Sequence, residues 1–397
     1  MVDQAKPIKF NFTKLEAVVQ GAEVVEELQQ QVKQRGHRRV FIIASQTLCK
    51  HSEIIKHITD SLEDRIVGVF NEIPAHTPRP DVMRAIRAAR ELEVDLLVTI
   101  GGGSVIDAAK VVQLAITLGV KSEKELIEYA QFADGSRGSK AGDMSLFQGS
   151  SALRQIAIPT TLSGAEYSNN AGVTDIEKSL KEGYRGTDLC PVAIIYDPEL
   201  SLHTPKWLWF STAIRSLDHA VEGYCSRDTH SYLDGHFLHA MKLFASSLPT
   251  AEQDPFDLKA RSLNQQAVWL ACCGLGKVGH GASHGIGYLL GAVCGVPHGY
   301  TSCVMLPAVL EWNEVVNGVR QRAIGEAMGG SDQSASIVVK NLIRKLHLPT
   351  SLQEVGVKLD QLELIADLAC KHPVVGMNPR KIDSPKQVLE ILQLAWH

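Results

Sequence analysis

The stretch Leu96-Leu97-Val98-Thr99-Ile100-Gly101-Gly102-Gly103-Ser104-Val105-Ile106-Asp107-Ala108-Ala109-Lys110 changes character in its middle. Its first five residues form an apolar run, the pattern of a strand covered on both faces. Beyond Ser104, residues Val105, Ala108, Val112 and Ile116 recur at the spacing of one helix face. Between the two lie three glycines, which let a backbone approach a ligand closely. The free amides and dipole of the helix start would attract an anion there. Two readings are open at this point: a pyrophosphate cradle, or a tight strand-to-helix turn. The stretch is not GxGxxG, so an ordinary Rossmann fingerprint is not supported.

Further strand-like runs flank it. Val40-Phe41-Ile42-Ile43 precedes a helix-like stretch through Ile54 and Ile55, and Ile66-Val67-Gly68-Val69-Phe70 precedes Val82, Ile86, Ala89 and Leu92 at helical spacing. Ile156-Ala157-Ile158 and Val192-Ala193-Ile194-Ile195 continue the series, while the polar, glycine-rich residues 133–151 read as a surface loop. This βαβα alternation predicts a parallel sheet with helices on both faces. From Thr204 onward strand signals fade and helical periodicity takes over, which places a domain boundary near 200–205. The expectation is an α/β domain over 1–202 and an all-α domain over 203–397. There is no internal repeat.

Composition narrows the function classes. The 397 residues, with 40 Lys+Arg against 44 Asp+Glu and a net charge of −4, give no general drive toward nucleic acid or anionic membrane. The opening MVDQAKPIKF lacks the apolar core of a secretory signal, and the eight cysteines include no CxxC pair. A reducing, cytoplasmic protein is expected. One anomaly stands out: residues 278–310 carry no Lys, Arg, Asp or Glu, yet include His280, His284 and His298. The run is too broken by glycine and proline to span a bilayer, so it is expected to be buried.

Two further stretches suggest chemistry. Pro159-Thr160-Thr161-Leu162-Ser163-Gly164-Ala165-Glu166 follows a strand, and its hydroxyls suit either a ligand or a capping turn. His219, in Arg215-Ser216-Leu217-Asp218-His219-Ala220-Val221-Glu222, together with His284 and His298 could ligate a metal, transfer protons, line a substrate pocket or simply sit hydrogen-bonded in a core.

Taken in order, several motifs resemble the iron-containing (group III) alcohol dehydrogenase superfamily, and within it the maleylacetate reductase branch. They are Ala75-His76-Thr77-Pro78, GGGSVIDAAK (101–110), PTTLSGAE (159–166), Asp197-Pro198-Glu199-Leu200, His219-Ala220-Val221-Glu222, and His284 through Gly291 to Pro297-His298. The resemblance implies a dehydroquinate synthase-like fold: an N-terminal α/β dinucleotide-binding domain, an all-α C-terminal domain, and an active site in the cleft between them. It further implies that Gly101, Gly102, Gly103 and Ser104 hold the pyrophosphate of NADH or NADPH. Asp107, Thr160, Thr161, Leu162 and Ser163 would follow the cofactor toward the nicotinamide, and Lys181 would contact it. Many relatives end their first strand with an Asp that repels a 2′-phosphate. Here Ala44-Ser45-Gln46-Thr47 stands in that place, so Ser45 leaves NADPH electrostatically acceptable.

The metal set departs from the family. The alcohol dehydrogenases use Asp-x-x-x-His plus two later histidines for a divalent cation, iron or zinc; the histidines map to His219, His284 and His298, but the carboxylate position is Arg215. A guanidinium cannot ligate a cation and repels it. A further family histidine is Tyr288 here. The expectation is a metal-independent reductase of a small oxo-acid or enone, with Arg215 as the electrophile and His219, His284, His298 and Tyr288 around the reacting centre. His219, His284 and His298 would be the ligands if a metal were bound. The alternatives are a metal-dependent alcohol dehydrogenase, or a diverged lyase, isomerase or binding protein on the same fold. A small-molecule substrate is expected, with no nucleic-acid or membrane partner; family members are often homodimers.

Overall fold

The computed structural model describes residues 8–132, 135–142, 153–178 and 180–397. Most of the loop expected at 133–151 therefore lies outside the described residues. Six parallel strands form the main sheet: β1 (Ala17–Gln20), β2 (Val40–Ala44), β3 (Ile66–Phe70), β4 (Leu96–Gly101), β6 (Arg154–Pro159) and β9 (Ala193–Tyr196), in the order β1-β9-β6-β4-β2-β3. Val40–Ala44 and Leu96–Gly101 are buried at every position. This explains why they read as unbroken apolar runs rather than alternating ones. The helices α1 (Val24–Arg35), α2 (Gln46–His51), α3 (Ile54–Leu62), α4 (Arg79–Glu91) and α5 (Gly103–Thr117) lie between these strands in the chain. The single helix expected through Ile54 is thus two, divided at Ser52-Glu53.

After α6 (Glu123–Ile127), a second sheet of three antiparallel strands, β5 (Gln131–Phe132), β8 (Leu180–Arg185) and β7 (Asn170–Asp175), packs near α5. Buried Arg79 of α4 holds it, donating to Asp175 and Glu182 of this hairpin and to Glu123 of α6.

From Lys206 every regular element among the described residues is helical: α7 (Lys206–Cys225), α8 (Ser231–Gln253), α9 (Leu258–Cys272), α10 (Ala282–Cys294), α11 (His298–Ala327), α12 (Ala335–Lys345), α13 (Leu362–Cys370) and α14 (Pro385–Leu394). The charge-free run supplies α10 and the start of α11. It is buried through Gly281–Gly287 and Thr301–Leu310, but Tyr288, Pro297 and His298 reach solvent, contrary to a wholly buried segment. No helix among the described residues is long and apolar enough to cross a membrane.

Candidate active site

Backbone geometry builds the first wall. A Cβ on Gly101, which has φ +157°, would lie 3.1 Å from Val105 Cγ2 and 3.2 Å from Ser45 Cβ. On Gly102 it would meet Thr161 Cγ2 at 3.0 Å, and on Gly103 it would meet Ser163 Oγ at 3.1 Å. The glycines therefore let the PTTLS loop close on the start of α5, whose first turn has no acidic residue to compete for an anion. Thr160 N–H donates to Gly101 O (3.0 Å), and Thr161 and Ser163 share a hydroxyl contact of 3.3 Å. Ser45 caps α2 without using its hydroxyl, next to Gly101.

Below the cradle, the Lys110 side chain is fully buried. Its ammonium donates to Ala165 O (2.6 Å), Asn170 O (2.8 Å) and Ser168 Oγ (3.1 Å), stapling the turn after Ser163 to α5. Asp107 accepts from Gly172 N–H (2.9 Å), and a Cβ at Gly172 would lie 3.8 Å from Lys181 Nζ, so Asp107 and Lys181 approach the same point of β7. Leu162 differs from its neighbours: its side chain lies in the helical core, its N–H donates to Thr212 Oγ1 (3.0 Å) and its carbonyl accepts from Ser216 Oγ. It anchors the loop to α7 with its side chain buried in the core.

Side chains build the second wall. Arg215, Asp218, His219 and Glu222 share a face of α7 by their i, i+3, i+4, i+7 spacing. The Glu222 carboxyl accepts from the N–H groups of Gly281 (2.9 Å), Ser283 (2.8 Å) and His284 (3.2 Å), satisfying the start of α10 in place of a local cap. It also faces His284 Nδ1 at 2.7 Å. The other nitrogen of His284 lies 2.8 Å from His219 Nδ1, which is 3.3 Å from His280 Nε2. His280 is thus a member of the cluster that the sequence reading left without a role; its i, i+4 spacing to His284 is the signal that could have found it. Burial first, then neighbouring charges including Arg215, drives these three imidazoles well below their ordinary range, His280 to about 3. They are neutral at pH 7. Burial raises the Asp218 and Glu222 carboxyls, and the charge of Asp218 adds to the rise at Glu222.

Arg215 is 3% exposed. Its Nη1 donates to Ser302 Oγ (3.0 Å) and lies 4.0 Å from Asp218, while its guanidinium sits 5.4 Å from the Tyr288 ring centre. Asp218 is itself occupied by Ser302 (2.6 Å) and Ser283 (2.7 Å). Tyr288 stacks on His298 with ring centres 6.0 Å apart and meets His284 edge-on at 6.4 Å. Arg215, His219, His284, Tyr288 and His298 therefore form one connected set of neighbours.

Comparison with known proteins extends over both walls. The iron-containing alcohol dehydrogenase model matches residues 16–198, and the model of the C-terminal region of the Fe-containing alcohol dehydrogenase family matches residues 210–396. The chain belongs to this family. The dehydrogenase FUM7 of Gibberella moniliformis is 31% identical, over 91% of this chain and 92% of that protein. Maleylacetate reductase 1 of Cupriavidus pinatubonensis is 27% identical, over 92% and 91%. The crystal structure of maleylacetate reductase from Agrobacterium tumefaciens shares the fold, with a TM-score of 0.82 over 98% of both chains at 24% identity. The protein is an oxidoreductase close to the maleylacetate reductase branch of iron-containing alcohol dehydrogenases.

The residues present fit a dinucleotide at the cradle, where the glycine positions are ones a Cβ would fill. The family's four-ligand metal set does not fit. Arg215, the residue that the resemblance sets at the carboxylate ligand's place, is a cation, and His298 stacks on Tyr288. The close groups of metal-capable atoms among the described residues are His219-His280-His284 and Asp218-Glu222-His284, neither of which includes His298.

Proposed function

We propose that the protein is an NAD(P)H-dependent, maleylacetate reductase-like reductase of a small oxo-acid or enone that works without the family's metal. Residues 1–202 would carry the cofactor and residues 203–397 the reacting groups, in a cytoplasmic protein that acts as a homodimer. The observation that carries this reading is Arg215, a buried cation among neutral imidazoles, at the position the resemblance assigns to a metal-ligating carboxylate.

When bound, the nicotinamide supplies the hydride. The chain's own groups then have distinct tasks. Gly101, Gly102, Gly103 and Ser104 would hold the pyrophosphate, with Asp107, Thr160, Thr161, Ser163 and Lys181 along the rest of the cofactor. Arg215 would stabilise negative charge developing on the substrate oxygen, in surroundings dry enough to strengthen that attraction. His284 has both ring nitrogens committed, to Glu222 and His219, and so positions rather than delivers. Tyr288 and His298, stacked and open to solvent, are the groups suited to hand over the proton that completes reduction. Ser45, lacking a carboxylate, would let NADPH serve at least as readily as NADH.

A second reading has one specific observation in its favour. His219, His280 and His284 are neutral and converge, with Glu222 orienting His284 as metal-site histidines are commonly oriented. A metal-dependent dehydrogenase using this trio would bind an ion despite Arg215. The test of the main reading is NADPH consumption with maleylacetate and related oxo- and enone acids, with and without chelator. Turnover indifferent to chelation is expected; failure to oxidise NADPH with any of them, while cofactor still binds, would sink it.

A further inference from the structure

The C-terminal segment after α13 has no task in the mechanism above, yet it runs along the helix that carries Tyr288. Three of its residues meet three of α10, in reverse order and at the same spacing of three along each chain segment. Asn378, fully buried, accepts from Ala282 N–H (3.2 Å) through its side-chain oxygen. Val375, also fully buried, packs where a Cβ on Gly285 would lie 3.0 Å from its backbone nitrogen, an approach that glycine permits. His372 then meets Tyr288, with ring centres 5.7 Å apart and planes inclined at 44°.

The segment is fixed at both ends. Asn378 and Asn313 exchange side-chain amide bonds (2.8 and 3.1 Å), and Asn378 also donates to Arg380 O (2.7 Å). At the other end His372 N–H donates to Ala369 O (3.0 Å), and His372 O accepts from Val375 N–H (3.0 Å). The imidazole is held as well. Its Nδ1 accepts from Val374 N–H (3.3 Å), which fixes a neutral ring with its proton on Nε2.

Tyr288 needs such a neighbour, because at 39% exposed its ring is not locked by core packing. It stacks on His298 with 14° between the planes, and the Arg215 guanidinium lies 5.4 Å from its centre. A tilted pair of rings at the His372 separation adds a further directional attraction. Small misplacements of a reacting group are costly to rate, so what holds this ring bears on the chemistry.

We propose that His372 is a positioning residue of the reaction: its ring, delivered by the C-terminal segment, holds Tyr288 in the orientation from which it hands over the proton. This deepens the reductase reading and rests on it.

The test is a mutant cycle on the full-length enzyme, with NADPH and the oxo- or enone acid it turns over. His372→Ala is expected to lower kcat about tenfold and to raise the solvent deuterium isotope effect on kcat, with NADPH affinity within about twofold of wild type. His372→Phe, which keeps a ring, is expected to recover most of that loss. In Tyr288→Phe, which lacks the hydroxyl, His372→Ala is expected to add less than about twofold. A second readout needs no turnover. With fluorotyrosine incorporated, the fluorine resonance absent from Tyr288→Phe should move in His372→Ala while the other tyrosine resonances stay in place. Unchanged kcat in His372→Ala, full additivity of the two substitutions, His372→Phe no better than His372→Ala, or an unmoved Tyr288 resonance each overturns the proposal. A wild-type enzyme that oxidises NADPH with none of these acids sinks the reductase reading instead, whether or not the resonance moves.

Discussion

The two walls of the site are built from different materials. The α/β wall is mostly backbone: three glycines, a helix start, hydroxyls, and a turn at His76-Thr77 held at positive φ. The helical wall is mostly side chain: Arg215, Asp218, His219 and Glu222 on α7 meet His280 and His284 some sixty residues later in the chain. A backbone cradle accepts one invariant ligand group, and its requirements are steric. A side-chain cluster can be rewritten by one substitution, as the role proposed for Arg215 illustrates. The contrast suggests that cofactor binding and reaction chemistry should separate cleanly under mutation.

Arg215→Ala should give the largest effect. Turnover is expected to fall by about a hundred- to a thousandfold, the scale of losing a group that stabilises developing charge, with NADPH affinity unchanged by fluorescence titration. A parallel loss of cofactor affinity would break the separation. The reverse is expected of Gly102→Val, whose side chain would press on Thr161. NADPH binding should weaken by about a hundredfold while the helical cluster, followed by near-UV dichroism, stays intact. Ser45→Asp should shift preference toward NADH by about tenfold, read as a ratio of Michaelis constants measured side by side. A wild-type enzyme that already strongly prefers NADH would count against the assignment of Ser45.

The smallest effect on turnover is expected from Glu166→Gln, where the loop of the first wall meets the helical core. Burial lifts the Glu166 carboxyl from an ordinary 4.5 to about 7, against the hydrogen bond from Tyr196. Below pH 4.5 both folded and unfolded chains hold the proton, so its contribution to stability is fully present. Between 4.5 and 7 the unfolded chain releases it first and stability falls, by about 3 kcal/mol in all, with no further change above 7. The Gln variant should flatten that decline in denaturant melts across the range.

Much of the first wall was legible because its determinants are local. Val40–Ala44 and Leu96–Gly101 announce themselves as apolar runs, and GGGS marks the junction within four residues. The β7–β8 hairpin was not, since Asn170–Asp175 is buried only at alternate positions and mixes Asn, Gly, Thr and Asp among its apolar residues. The four-residue β1 carries too little pattern to separate from a loop. In the second wall the residue types and α7 spacing could be read, but not which partners they meet. Leu162 looks like part of a ligand loop and is a core anchor. Tyr288 and His298 sit in a charge-free run and still reach solvent. Those outcomes depend on contacts between distant segments, which no local pattern encodes.

The central claim is that Arg215 replaces the family's metal. Metal content measured beside turnover on one preparation, purified without chelator, tests it most directly. The account predicts full activity with far less than one equivalent of iron or zinc and no loss on chelation. Stoichiometric iron or zinc, lost together with activity in Arg215→Ala, would contradict it.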